Sequence, residues 1–188
     1  MNEVIQTIYK RRSVRKYLNK PVSKEIIVEL LKAAMAAPSA TNCQALEFLV
    51  LSDQTILNQI RQKLIFAKYN APISIVVIGN PGKANNSSGK RFWQQDGSAA
   101  IENMMIAATS LGLGTVWIGI HPVPPFERSI RKILNLPDKV FPLGMVYVGY
   151  PAETPVPRTQ YKEIDIYWDN YEVDRKRKKK DRNAKKSI

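Results

Sequence analysis

Residues 92–119, FWQQDGSAAIENMMIAATSLGLGTVWIG, decide how the chain is built. The stretch predicts a long helix from about Phe92 to Leu111. Its small and flexible apolar residues (Ala99, Ala100, Met104, Met105, Ala107 and Ala108) permit close helix packing. Gly112 and Gly114 stop the helix, and Thr115 to Ile120 then reads as a strand. Glycines that follow a helix and precede a strand reverse the order of a dinucleotide fingerprint, where they follow a strand and place pyrophosphate on a helix N-terminus. Gly119, on the strand, lets a flat ring approach the backbone.

Working outward, Ile73 to Ile78 (ISIVVI) is β-branched almost throughout and reads as a buried strand. Leu46 to Leu51 (LEFLVL) reads the same way. Asp53 caps a helix containing Ile56, Leu57, Ile60 and Leu64. Ser23 caps another over about 24–36, where Ile26, Ile27, Leu30, Leu31 and Ala34 recur at the helical period and Pro38 marks the end. Residues 2–10 form a short helix with Val4, Ile5 and Ile8 on one side. Between Asn80 and Arg91 the composition turns to Gly, Asn, Ser and Lys, which predicts a mobile loop. Beyond Ile120 come a helix over about 125–134, a strand over Leu143 to Val148, the Pro-rich GYPAETPVP ending at Arg158, and an extended arm, YKEIDIYWDNYE. The sum is an α+β three-layer sandwich, a single domain over 1–174 whose first and last segments need something outside the compact core to pack on.

The 188 residues suit one such domain, and 44% hydrophobic residues are enough to build its core. No run of about 18 apolar residues is present, so no membrane span is expected, and the N-terminus shows no secretory pattern. A single cysteine, Cys43, excludes an internal disulfide framework and fits a cytoplasmic protein. Cys43 and His121 cannot build a four-ligand zinc site, and no metal is expected. Of the net charge of +13, residues 175–188 (RKRKKKDRNAKKSI) supply +8. That tail reads as a disordered, self-repelling extension, solvated or weakly attracted to polyanions such as RNA, DNA or anionic lipid.

Four segments could carry chemistry. Arg11, Arg12, Ser13 and Arg15 offer planar guanidinium forks and a hydroxyl, the donors that suit a phosphate. By composition alone a solvated basic turn is the simpler reading. The loop Pro38-Ser39-Ala40-Thr41-Asn42-Cys43-Gln44 offers amides that read the edge of a heteroaromatic ring, although any helix-to-strand loop has that composition. Ile118 and Gly119 lie on the strand after the long helix. Arg158 follows Pro155, Val156 and Pro157, whose stiffness fixes where it points, although an isolated arginine is more often a surface residue than a ligand.

Taken in this order, RRSVRKY, AAPSATNCQALEFLVL, QQDGSAAIENMMIAATSLGLGTVWIG and GYPAETPVPR resemble the nitroreductase family of flavoproteins, over about residues 3–172. The resemblance implies a mixed β-sheet flanked by helices and an intertwined homodimer with FMN at the subunit interface. It implies that Arg11, Ser13 and Arg15 contact FMN, with Arg12 close by and Arg158 completing a phosphate clamp. Pro38, Ser39, Ala40, Asn42 and Gln44 would come from the partner subunit, while Ile118 and Gly119 present backbone groups to the ring. The implied chemistry is hydride transfer from NADH or NADPH through the flavin to a small-molecule acceptor, a nitroaromatic, quinone or similar conjugated compound. Arg15 is the candidate for stabilising negative charge on the reduced ring. Where many relatives read Gln-Pro-Trp this chain has Gln44-Ala45-Leu46, and residues 66–92 match poorly, leaving Phe92 and Trp93 as candidate acceptor contacts. His121 and Cys43 are expected to be structural. Two other classes stay open: the same flavin fold with a specialised reaction, such as dehalogenation or flavin fragmentation, and a basic nucleic-acid-binding module.

Overall fold

The computed structural model describes residues 2–171. Four strands, β1 (Leu46–Leu51), β2 (Ile73–Gly79), β3 (Gly114–Gly119) and β4 (Phe141–Gly149), form one sheet in the order β1-β2-β4-β3. β2 and β4 are central, which is why every residue of β2 is buried and why their sequences read as near-continuous apolar runs.

Alternate side chains of these strands feed two separate cores. Val76, Ile78, Val116, Ile118, Met145 and Tyr147 pack on one face with α3 (Gln54–Lys63) and α5 (Pro124–Leu134). Ile73, Ile75, Val77, Val146 and Val148 pack on the other with α2 (Lys24–Met35) and α4 (Ser87–Ser110). The result is the expected helix–sheet–helix sandwich. The sheet itself is antiparallel at every strand–strand boundary. Its parallel element is confined to an isolated bridge between Ser13 and Thr115 of β3, because only this short run of the extended N-terminal segment reaches the sheet edge.

The loop expected over 80–91 is shorter in the structure. After a single 3-10 turn at Pro81–Lys83, Asn86 caps α4 by accepting the Gly89 amide at 3.1 Å, so the helix starts at Ser87. Asn, Ser and Gly are weak helix formers, and the segment becomes helical through its cap and its packing. α1 (Glu3–Lys10) buries none of its residues, and Val4, Ile5 and Ile8 are all exposed. Internal contacts separate a unit Met1–Pro157, which holds all the helices and strands above, from a unit Arg158–Ile188. Within the second unit, Glu163–Asp165 makes a 3-10 turn and the rings of Tyr167 and Tyr171 stack 4.4 Å apart. The boundary drawn at 174 and the basic tail lie outside the described residues.

Two tyrosines are sealed in the α3/α5-side core. Tyr17 donates to the Val14 carbonyl at 2.6 Å and Tyr147 to the Ala67 carbonyl at 3.2 Å. Burial pushes both phenols above the ordinary tyrosine value, Tyr17 far above it. The unfolded chain ionises its tyrosines near pH 10, while the folded chain holds these two neutral to higher pH. Their contribution is therefore complete below about pH 10 and is lost as pH rises beyond it. Urea unfolding between pH 7 and 11 should show stability falling above about pH 10, and Tyr147→Phe should flatten that fall while costing about 1 kcal/mol at pH 7. An unchanged alkaline slope in Tyr147→Phe would count against this account.

Candidate functional site

Immediately after α1 the chain runs extended along the edge of the sheet. Val14 donates its amide to the Thr115 carbonyl at 2.8 Å, and its side chain is buried against Gly114, where a Cβ would come 2.7 Å from Val14 Cγ1. This close approach, together with the Ser13–Thr115 bridge, lays the basic segment beside the strand that carries Ile118 and Gly119. Arg11 is oriented by Glu102 of α4, with Nε 3.0 Å from Oε1. Arg15 is exposed at its side chain, while its amide donates to Glu153 Oε1 at 2.6 Å. In an extended backbone neighbouring side chains alternate. Arg12 accordingly turns elsewhere: it donates to the Val156 carbonyl and lines a cavity of about 290 Å³ with Lys10, Thr109 and Pro155.

At the far end of β3, Ile118 sends its side chain into the core. Gly119 is exposed, and the space where its Cβ would stand holds no atom within 4 Å. Because β3 is an edge strand, its outer backbone groups around these two residues offer donors and acceptors to a planar molecule.

The Pro38–Gln44 loop sits elsewhere, against the first turns of α4. Pro38, Ser39 and Gln44 line a cavity of about 280 Å³ with Met35, Phe48 and Lys83. Thr41, Asn42 and Gln44 have φ of 52°, 55° and 50°. That left-handed backbone costs a residue with a side chain roughly 1 kcal/mol or more, less for asparagine. The loop is held in this shape by several bonds. Asp96, 6% exposed, accepts the Ala40 amide on Oδ1 at 3.0 Å. Asn86 donates Nδ2 to Thr41 Oγ1 at 2.8 Å, and Ser39 Oγ accepts the Gln44 amide at 3.1 Å. Cys43 donates to Asn86 Oδ1, with Sγ 3.3 Å away, and fits beside Gly89, where a Cβ would come 2.5 Å from that sulfur.

The structure thus brings Arg11, Ser13 and Arg15 to the strand of Ile118 and Gly119, and collects Pro38, Ser39, Ala40, Asn42 and Gln44 into a second group. Arg158 opens the second unit of the chain. Sequence reasoning missed Glu102, Asn86 and Asp96. Only Asp96 had a signal: its spacing from Trp93 and Ala100 puts a carboxylate on the buried face of a helix. Trp93, a candidate acceptor contact, is instead part of the core, its ring stacked 5.6 Å from Phe141 and tilted against His121 at 5.0 Å. Phe92 is exposed. His121 bonds Glu127 through Nδ1 at 2.9 Å, a structural arrangement.

Comparison with known proteins identifies the family and the fold. The model of the nitroreductase family matches residues 8–67 and 63–150. The chain belongs to the nitroreductase family. An Archaeoglobus fulgidus member named NADH dehydrogenase/NAD(P)H nitroreductase is 37% identical over 155 residues, covering 81% of this chain and 88% of that protein. A solved structure of the same name from Parabacteroides distasonis superposes with a TM-score of 0.85 at 38% identity, over 91% of this chain and 100% of the other. An FMN-dependent nitroreductase from Clostridium difficile superposes at 0.80 with 30% identity, over 89% and 99%. The nitroreductase fold is therefore common to this chain and to both solved structures.

Proposed function

We propose that this nitroreductase-family chain is an FMN-dependent oxidoreductase that takes hydride from NADH or NADPH and passes it to a nitroaromatic, quinone or similar conjugated acceptor. The observation that supports the reading is the Ser13–Thr115 bridge, which lays the segment of guanidinium and hydroxyl side chains along the strand that ends at the open Gly119 position. The donor set fits FMN: guanidinium groups and a hydroxyl for the phosphate end, an open backbone edge for the ring. Bound there, the flavin would supply the two-electron carrier. Arg11 and Ser13 would hold the phosphate and ribityl end, with Arg158 retained in the clamp on the strength of the resemblance. Arg15 would offset negative charge on the ring, and Arg12, turned towards Val156, would support the segment from behind.

The functional unit is proposed to be a homodimer. Asp96, which holds the loop, and Glu102, which holds Arg11, are six residues apart on α4. They therefore point roughly 120° apart around the helix axis. A site that uses both groups draws the Pro38–Gln44 loop from a second subunit, and the uncovered apolar side of α1 fits the same arrangement. Among the described residues no helix is long and apolar enough to cross a membrane, in keeping with a proposed cytoplasmic location.

The test is an anaerobic absorbance titration of the FMN-loaded protein with NADH and then NADPH. Bleaching of the flavin band, reversed by a nitroaromatic or a quinone, is expected. A flavin reduced by neither nicotinamide would overturn the proposed electron source, and failure to take up FMN would overturn the whole reading.

A further inference from the structure

Asp96 is a buried carboxylate in the middle of a helix, and only one of its oxygens is used. Oδ1 accepts the Ala40 amide, whereas Oδ2 is buried without a hydrogen-bond partner. An arrangement that costs solvation on one oxygen and backbone strain in the loop it holds does not maximise stability. Asn86 and Gly89, earlier on the same helix, clasp the same loop through Thr41 and Cys43. All three act on the segment that carries Ser39, Ala40, Asn42 and Gln44.

We infer that Asp96, seconded by Asn86 and Gly89, is a positioning residue that holds the Ser39–Gln44 loop in its left-handed backbone and thereby sets the affinity for FMN. The inference rests on the FMN reading above. Asp96 touches no ligand itself; it acts through the Ala40 amide. Removing the carboxylate lets the three strained residues relax and removes an unpaired buried oxygen, which offsets the lost hydrogen bond in the FMN-free protein. The bound state has no such compensation, since the loop must be returned to the strained shape before it meets the ring.

Asp96→Ala and Asp96→Asn in the full-length chain test this, with three readouts: FMN dissociation constant by fluorescence quenching, amide deuterium exchange over residues 39–44 without FMN, and the urea midpoint without FMN. Asp96→Ala should weaken FMN binding about tenfold or more, equivalent to about 1.4 kcal/mol. Exchange in the loop should quicken, with a midpoint close to wild type. Asp96→Asn, which keeps an acceptor at Oδ1, should recover most of the affinity. FMN affinity within twofold of wild type in Asp96→Ala, despite faster loop exchange, would overturn the inference. So would a urea midpoint that falls in step with affinity, the mark of a merely structural residue. If the wild-type protein takes up no FMN, the functional reading fails instead, and loop exchange with the urea midpoint still decides whether Asp96 braces the loop.

Discussion

Trp93→Ala is expected to lower the unfolding free energy by about 3–5 kcal/mol, the range for emptying an aromatic site in a packed core. The ring is 5% exposed. It lies over Phe141 at 5.6 Å with planes 23° apart, and its other neighbour is the His121 imidazole. Gly79 forms the floor beneath it: a Cβ there would fall 2.0 Å from Trp93 Cε3. Backbone, a β4 aromatic and the turn after β3 therefore enclose the indole, and none of the three can close over the space it would leave. Urea unfolding of the variant, with and without FMN, checks this. A loss below about 1 kcal/mol, together with a selective effect on acceptor turnover, would return Trp93 to the substrate cavity where the sequence placed it.

That misplacement shows what a linear reading can and cannot reach. The strands were legible because each is a local pattern. Leu46–Leu51 was found with its bounds intact, and the β-branched run at 73 is the buried strand β2. α4 began five residues earlier than its composition suggested. Its first turn is stabilised by the Asn86 cap and by contact with Cys43, 43 residues away, rather than by intrinsic propensity. Trp93 stood next to the expected loop, and its partners Phe141 and His121 come from distant parts of the sequence.

The candidate site follows the same division. The residue types of RRSVR offer phosphate donors, but by composition a solvated basic turn was the simpler reading, and only the family resemblance favoured the phosphate role. That Arg12 turns to Val156 while Arg11 is held by Glu102 depends on an extended backbone docked on β3, and no spacing in the sequence records that docking. The composition of Pro38–Gln44 marked it as a helix-to-strand loop, and only the family resemblance gave it a place in the site. Its strained backbone, and the carboxylate 56 positions away that holds it, emerge only once α2 and α4 pack together.

The proposed phosphate clamp makes the second strong prediction. Arg11→Ala and Arg158→Ala should each weaken FMN binding by roughly 1.5–3 kcal/mol, the value of a charged hydrogen bond lost, or about ten- to a hundredfold. For Arg11 the geometry adds a condition. Its Nε is engaged by Glu102, whose side chain is 46% exposed, and a pair so open to water contributes at most about 1 kcal/mol to stability. Removing Arg11 should therefore leave the urea midpoint of the FMN-free protein nearly unchanged while the flavin is lost. Arg11→Lys should restore little of the affinity, because an ammonium cannot bond Glu102 through one edge of a planar fork and offer the other edge to a phosphate. Glu102→Gln should give an intermediate loss, since Arg11 keeps its charge but not its fixed orientation. Near-normal flavin content in both Arg11→Ala and Arg158→Ala would remove the clamp. A normal Arg11→Lys would show that charge alone, and not the orientation set by Glu102, binds the phosphate.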